Sequence, residues 1–262
     1  MDRAPLALPR VIGHRGAAAR APENTLAGFR KAAELGCRWV EVAVRLSLEG
    51  RAILFHDDSL ERTTDGKGPV WATPYAELRA RDAGAFFGPA YRGERIPSLE
   101  EGLELLRRLG LAFNLEMKAE PGREAVLAEV VARTLARAWP GEAAPPLVSS
   151  FEVSALVAFA RRAPHVPRAY LAEQAPPEWR IQAAQVGAAA LVLDHRPLSP
   201  AVVREVKTAG YPLLAYTVNH PSRAEELFAW GVDGVVSDAP DAILAALEAG
   251  RRSTPTPRLP PI

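Results

Sequence analysis

Short apolar runs recur along the chain, and most of the intervals between them carry helical spacing of apolar residues. Strand candidates lie at 10–16, 38–44, 52–57, 112–118, 146–151, 167–171, 189–194, 212–218 and 234–238. One helical pattern puts Leu26, Phe29 and Ala33 on a shared face. Asn24 or Thr25 can cap that helix at its start. Alternating strands and helices with short connections predict an α/β fold with parallel strands.

One strand candidate cannot belong to a parallel sheet. The run 52–57 begins only about seven residues after the preceding strand, whereas a parallel crossover needs about a dozen or more. It is therefore the returning arm of a hairpin, and Glu49-Gly50 suits a two-residue turn. That register places Ala43 opposite His56. Eight strands remain, which favours a (β/α)8 TIM barrel with a hairpin extension after its second strand.

The length of 262 residues is enough for one barrel-sized domain, which we place at 1–250. The segment 59–97 that follows the hairpin is irregular and rich in glycine, proline, arginine and aromatic residues. The polar, proline-rich segment 251–262 is expected to form a flexible C-terminal tail.

Charge and composition exclude several classes of partner. The formal net charge is +1, so no overall field attracts nucleic acid or an anionic membrane. No apolar run approaches the roughly 18 residues of a membrane span, and the N-terminus does not resemble a signal peptide. Cys37 is the only cysteine, which excludes an internal disulfide. We expect a soluble cytoplasmic protein without stable membrane insertion, and the oligomeric state stays open.

Amide side chains are scarce, with three asparagines and three glutamines, and proline is abundant. This bias is typical of a GC-rich or thermophilic source, in which thermolabile amides are rare and loops carry more proline.

Charged residues interrupt the apolar pattern where strands end, and in such barrels functional side chains gather at the C-terminal ends of the strands. These residues are His14, Arg15, Glu41, His56, Glu116 and Lys118. Carboxylates bind hard divalent cations, and an arginine fork binds phosphate. Two histidines can divide general-acid and general-base work. The set suits phosphodiester cleavage, although a purely structural ion pair of Glu41 with Arg15 or Lys118 remains an alternative.

Five stretches of the chain closely resemble the glycerophosphodiester phosphodiesterase family. They are IGHRGAAARAPENTLAGFRKAAELG (12–36), VEVAVRLSLEGRAILFHDDSLERTTDGKG (40–68), IPSLEEGLELL (96–106), NLEMK (114–118) and YTVN with WGVDGVVSDAPD (216–241). The resemblance implies a TIM barrel with a small insertion after the hairpin, here about 59–95. It also implies a metal-dependent enzyme that releases sn-glycerol 3-phosphate and an alcohol from glycerophosphodiesters, its small-molecule substrates.

The resemblance carries over to individual residues. His14 and His56 match the family's catalytic pair, and Arg15 matches its phosphate-binding arginine. Lys118 matches a lysine near the phosphate. Tyr216 ends a strand and can line the substrate pocket, although an aromatic residue there can also be simple packing.

The metal site departs from the family pattern. Glu41 and Glu116 match two ligands of a divalent cation, Mg²⁺ or Ca²⁺. The family places a further acid two residues after the first, and here that residue is Ala43. Three explanations stay open: an engineered substitution, a natural variant in which water or another residue replaces the ligand, and a non-catalytic relative that binds glycerophosphodiesters. A lysophospholipase D-like enzyme on the same barrel is a further alternative.

Overall fold

The computed structural model of the protein describes residues 7–139, 141 and 146–253. The strands are β1 (Val11–Gly13), β2 (Trp39–Leu46), β3 (Ala52–Leu54), β4 (Ala112–Met117), β5 (Leu147–Ser150), β6 (Arg168–Ala172), β7 (Ala190–Asp194), β8 (Leu213–Tyr216) and β9 (Gly234–Ser237). The helices are α1 (Leu26–Glu34), α2 (Tyr75–Ala80), α3 (Leu99–Leu109), α4 (Glu124–Ala138), α5 (Val153–Arg162), α6 (Trp179–Val186), α7 (Pro200–Thr208), α8 (Pro221–Trp230) and α9 (Pro240–Ser253).

The predicted TIM barrel is confirmed. The parallel strands pair in the order β1, β9, β8, β7, β6, β5, β4 and β2, and β1 also pairs with β2, so the ring closes with eight strands in the described residues. The arm β3 pairs antiparallel with β2 outside the ring, as expected of the hairpin extension. No helix of the described residues is long and apolar enough to span a bilayer. Of the predicted tail 251–262, residues 254–262 lie outside the described residues.

The predicted register of the hairpin is wrong by one residue. Val44 pairs with Leu54, and the backbone N–H of Phe55 donates to the carbonyl of Ala43, so Ala43 lies opposite Phe55 and not opposite His56. The physical reason is the turn. Gly50 adopts φ +80° and its N–H donates to the carbonyl of Ser47, which gives a three-residue loop over 48–50. Strand β3 also ends earlier than predicted, at Leu54.

Asn24 does not cap α1. The N-cap is Thr25, whose hydroxyl accepts the N–H of Gly28 at 3.1 Å. Asn24 lies in the left-handed region at φ +53°, which asparagine tolerates better than most residues. Its Oδ1 accepts the N–H of Ala43 at 3.0 Å, so this side chain ties the segment before α1 to the middle of β2.

The apolar core has three parts. The largest lies between the barrel and its helices and includes the fully buried Phe29, Phe113 and Phe159. A second fills the interior of the barrel, from Ile12 on β1 to Val236 on β9. Because side chains pack this interior, we expect a ligand site at the ends of the strands, where the interior opens.

The third apolar cluster belongs to the segment after the hairpin. Leu60, Val70, Leu78 and Ile96 are buried there against Ile53 of β3. The aromatic rings of this segment pack on one another, with Phe86, Phe87 and Tyr91 in edge-to-face contact. The boundaries of the insertion, 59–95, and a single domain at 1–250 stay predictions.

Candidate active site

A cavity of about 160 Å³ opens among the C-terminal ends of the barrel strands. Its lining residues are His14, Arg15, Glu41, His56, Asn114, Glu116, Lys118, Ser149, Phe151, Leu171, Val192, Tyr216, Thr217 and Val236. All seven residues predicted from the sequence as catalytic, substrate-binding or metal-binding are among them. Ala43 is fully buried and does not line the cavity.

The loop after β1 holds Arg15 in an uncommon backbone conformation. Its φ of +51° lies in the left-handed region, which side chains other than glycine and asparagine rarely adopt. The N–H of Arg15 donates to Glu41 Oε2 at 3.1 Å, and its carbonyl accepts the N–H of Asn24 at 3.0 Å. The next residue, Gly16, packs so closely on α1 that a Cβ would lie 2.8 Å from the backbone of Gly28. Such strain persists where the surroundings hold it, as at functional sites.

His14 is oriented by a carboxylate. Its Nδ1 lies 2.6 Å from Oδ1 of Asp238, and its Nε2 receives the Nε–H of Arg15 at 3.1 Å. These partners fit the neutral tautomer with the proton on Nδ1 and a lone pair on Nε2. Burial alone would raise the pKa of Asp238, but the hydrogen bond and charge of His14 hold it below its usual range. Asn219 fixes the other oxygen of this carboxylate at 2.7 Å.

His56 follows β3 and has its own carboxylate partner. Its Nδ1 lies 2.7 Å from Oδ1 of Asp57, which leaves Nε2 for a ligand in the cavity. Burial and, to a lesser extent, the positive charges of Arg15 and Lys118 lower the pKa of His56 to about 3. His56 is therefore neutral in the free protein at physiological pH.

Arg15 and Lys118 place positive charge on the cavity. Arg15 reaches Glu23 through NH1 at 2.8 Å, and Lys118 Nζ lies 2.9 Å from Oε1 of Glu116. An incoming phosphate would exchange these carboxylate contacts for its own oxygens. An arginine fork and a lysine point charge together suit a phosphodiester group.

The two buried acids differ in their partners. Glu116 pairs with Lys118, whereas no lysine or arginine side chain among the described residues lies within ion-pairing distance of Glu41. His14 Nε2, 3.9 Å away, pairs with Glu41 only when the ring is protonated. Burial raises the pKa of the Glu41 carboxyl, a shift that His14 opposes and the charge of Glu116 reinforces. A cation that binds both carboxylates would offset that shift.

The donor chemistry of Glu41 and Glu116 fits a hard divalent cation, because both offer carboxylate oxygens and water can fill the remaining positions. They form no group of three ligands. Among the described residues, three ligand atoms within 4.8 Å of one another occur only at Glu23, His56 and Asp57. Both acids of that group are already held by Arg62. We therefore keep Glu41 and Glu116 as the candidate metal ligands.

The opposite side of the cavity has a different character. Leu171 of β6 and Val192 of β7 are buried apolar residues, and Phe151 packs edge-to-face on Tyr216 with ring centroids 6.2 Å apart. The Tyr216 hydroxyl donates to the carbonyl of Ala172, which fixes the ring. Burial raises the pKa of Tyr216, so its hydroxyl stays protonated. This wall can contact the apolar parts of a bound molecule.

The sequence interpretation missed the carboxylates that orient the histidines. Asp238 and Asp57 touch the two histidines, while Glu23 and Arg62 connect Asp57 to Arg15. All four residues lie inside the stretches that resemble the family, so those stretches could have identified them as candidates.

Comparisons with known proteins agree with this geometry. The model of the Glycerophosphoryl diester phosphodiesterase family matches residues 14–242. The chain belongs to this family. As a member it is an enzyme of the phosphodiester hydrolase class, and its barrel brings the seven residues predicted from the sequence to one cavity.

The similarity to individual relatives extends over nearly all of the chain. A glycerophosphodiester phosphodiesterase of Caldanaerobacter subterraneus subsp. tengcongensis is 32% identical, over 92% of this chain and 98% of the relative. The structure of an Oleispira antarctica phosphodiesterase, in complex with the product sn-glycerol-3-phosphate, is 39% identical with a TM-score of 0.90, covering 92% and 97%. A glycerophosphodiester phosphodiesterase of Agrobacterium tumefaciens is 27% identical with a TM-score of 0.73, covering 91% and 100%.

Proposed function

We propose that this enzyme hydrolyses glycerophosphodiesters to sn-glycerol 3-phosphate and an alcohol, with His14 and His56 as its acid-base pair. The observation that carries the proposal is the pair itself. Each histidine is tethered through Nδ1 to a carboxylate and lines the same cavity. The cations Arg15 and Lys118 line that cavity too, and in this proposal they bind the anionic phosphate of the substrate.

His56 is the proton acceptor in this proposal. It is neutral in the free protein, and Asp57 holds the proton of the ring on Nδ1, so Nε2 can take a proton from the attacking hydroxyl. The attacking oxygen forms a new bond to phosphorus. That oxygen belongs either to the glycerol 2-hydroxyl, which yields a cyclic phosphate that water then opens, or directly to water. Detection of cyclic glycerophosphate during turnover separates the two routes.

His14 is the proton donor. For this role Nε2 takes up a proton once Arg15 has left it, so that both ring nitrogens carry one. Asp238 lies 2.6 Å from Nδ1 and Glu41 lies 3.9 Å from Nε2. Arg15 contacts the same Nε2 in the free protein and would turn to the phosphate when substrate binds. As the bond from phosphorus to the alcohol oxygen breaks, His14 passes its proton to the leaving alkoxide.

Glu41 and Glu116 would hold the divalent cation, Mg²⁺ or Ca²⁺. When bound, the cation supplies positive charge that stabilises the phosphate oxygens in the transition state. The proposal that Ala43 stands where the family has another acid predicts a site with one ligand fewer and one negative charge fewer. Such a site should bind the cation more weakly than a site with three acids.

Ala43 also supports a second candidate function. A chain with only two acids at this site could bind glycerophosphodiesters without cleaving them. The tethered histidines favour the enzyme, because a binding protein has no need of two imidazoles fixed by carboxylates.

The test is release of sn-glycerol 3-phosphate from glycerophosphocholine and glycerophosphoethanolamine, with Mg²⁺, Ca²⁺ or EDTA. We expect turnover that needs the cation and is lost in His14→Ala and in His56→Ala. If the wild-type protein binds sn-glycerol 3-phosphate but releases none from either diester, the binding function replaces the hydrolytic one. Release of glycerol 3-phosphate in EDTA at the full rate would exclude the role of Glu41 and Glu116 as metal ligands.

A further inference from the structure

Arg62 does not line the cavity, but it contacts the two carboxylates that hold His56 and Arg15. Its guanidinium holds Asp57 through Nε to Oδ2 at 2.5 Å and NH2 to Oδ1 at 2.8 Å. The same group holds Glu23 through NH1 to Oε2 at 2.7 Å and NH2 to Oε1 at 2.8 Å. Each carboxylate is thus bound at both oxygens, an arrangement in which arginine fixes geometry as well as charge.

Each of these two carboxylates also holds a residue that lines the cavity. Asp57 Oδ1 contacts His56 Nδ1 at 2.7 Å, and Glu23 Oε1 accepts NH1 of Arg15 at 2.8 Å. Arg15 in turn contacts His14. A continuous series of hydrogen bonds therefore leads from one histidine to the other, and Arg62 connects the two carboxylates within it.

We propose that Arg62 is a positioning residue that sets the orientation of His56 through Asp57 and of Arg15 through Glu23. The proposal rests on the hydrolytic function described above. It assigns the segment after the hairpin a part in catalysis, because Arg62 lies in that segment beside Leu60, which is fully buried in its apolar cluster.

Charge explains why an arginine is needed here. Glu23, His56 and Asp57 bring three ligand atoms within 4.8 Å of one another. Two carboxylates this close repel each other unless a cation lies between them. Arg62 supplies that cation with fixed geometry, whereas lysine would supply a point charge that cannot bind both oxygens of both acids.

The test compares Arg62→Gln, Arg62→Lys and a control variant, Arg81→Gln. Arg81 pairs with Glu77 in the same segment and does not line the cavity, so its loss removes an ion pair without touching the series. We expect kcat to fall by about 10- to 100-fold in both Arg62 variants, because small misplacements of reacting groups are costly. The control should keep the wild-type kcat, and all variants are assayed well below their unfolding temperatures.

A readout independent of turnover is the NMR titration of His56, with and without sn-glycerol 3-phosphate as the probe. We expect the pKa of His56 to change in Arg62→Gln and the affinity for the probe to fall by about tenfold, because Asp57 and Arg15 lose their support. An unchanged titration curve with unchanged probe affinity overturns the proposal, as does wild-type kcat in Arg62→Lys, which would show that charge alone suffices. Since this readout needs no turnover, it separates failure of this proposal from failure of the hydrolytic function.

Discussion

Ala43 of β2 and Glu116 of β4 are direct register partners on neighbouring parallel strands. Residues two apart on a strand share a face, so residue 43 shares the inward face of Glu41. A carboxylate at position 43 would stand beside both proposed metal ligands.

We therefore expect Ala43→Asp to raise diesterase activity in Mg²⁺ or Ca²⁺ by about tenfold or more, because it adds an oxygen ligand and a negative charge. Steady-state rates and calorimetric titration of the cation measure the two effects. Ala43→Asn is the matched control, since it adds a similar volume without the charge. Equal rates and equal cation affinity in Ala43→Asp and the wild type would remove this explanation of residue 43.

We expect Asp238 to affect the catalytic rate through its contact with His14. We expect Asp238→Asn to lower kcat by about a hundredfold or more while KM changes little, because an amide no longer holds the Nδ1 proton and the orientation of the ring. Asp241→Asn serves as the control, since Asp241 pairs with Arg20 at the surface. A wild-type kcat in Asp238→Asn would contradict the orienting role.

The low pKa of His56 makes stability depend on pH. Below about pH 6.5 an unfolded chain takes up a proton on this histidine, whereas the folded protein does so only near pH 3. The stabilisation by neutral His56 is therefore complete above about pH 6.5 and is lost as the pH falls towards 3. Urea unfolding between pH 4 and pH 8 should show a weaker pH dependence in His56→Gln than in the wild type; parallel curves would contradict the shift.

A bound phosphate group should raise the pKa of His56 part of the way back to its ordinary value. An anion that neutralises Arg15 and Lys118 removes two of the causes that lower the pKa, although burial remains. We expect sn-glycerol 3-phosphate to raise the pKa of His56 in an NMR titration, with the resonance assigned by its absence from His56→Gln. A pKa that is the same with and without the ligand would show that the phosphate does not lie between these cations.

Asn24 should contribute to stability through the backbone of β2. We expect Asn24→Ala to cost about 2 to 4 kcal/mol, because a buried N–H of Ala43 loses its acceptor and alanine is strained at positive φ. Asn24→Gly loses the same hydrogen bond without the strain, so it should cost about 1 kcal/mol less. Chemical unfolding of the three proteins measures both differences. Equal stability of Asn24→Ala and the wild type would contradict this assignment.

The alternation of apolar residues was sufficient to predict the barrel, because strands buried in a closed ring and amphipathic helices leave different periods in the sequence. It was insufficient for the register of the hairpin. Glu49-Gly50 suits a two-residue turn, but the positive φ of Gly50 closes a three-residue loop, and side-chain pattern does not distinguish the two. Asn24 posed the same difficulty, since asparagine suits both a helix cap and a left-handed position.

Candidate site residues could be predicted from the sequence where a charged residue interrupts an otherwise apolar strand. A charged residue such as Glu41 or Glu116 is conspicuous among apolar neighbours, and the topology then brings the strand ends together. Asp57 and Glu23 lie in loops, where charged residues are common, so no pattern in the sequence separates them from exposed acids, although the fold largely buries both side chains. Their contacts depend on how loops distant in sequence pack together.

The cavity has two unlike sides. Strands β1, β2 and β4 and the hairpin carry the groups proposed for proton transfer and phosphate binding, whereas Phe151 after β5 and strands β6 to β8 contribute apolar and aromatic surface. We therefore expect that residues on the apolar side can be exchanged while the groups proposed to react stay in place. A library of substitutions restricted to Phe151, Leu171 and Val192 would explore new leaving groups on an unaltered catalytic apparatus.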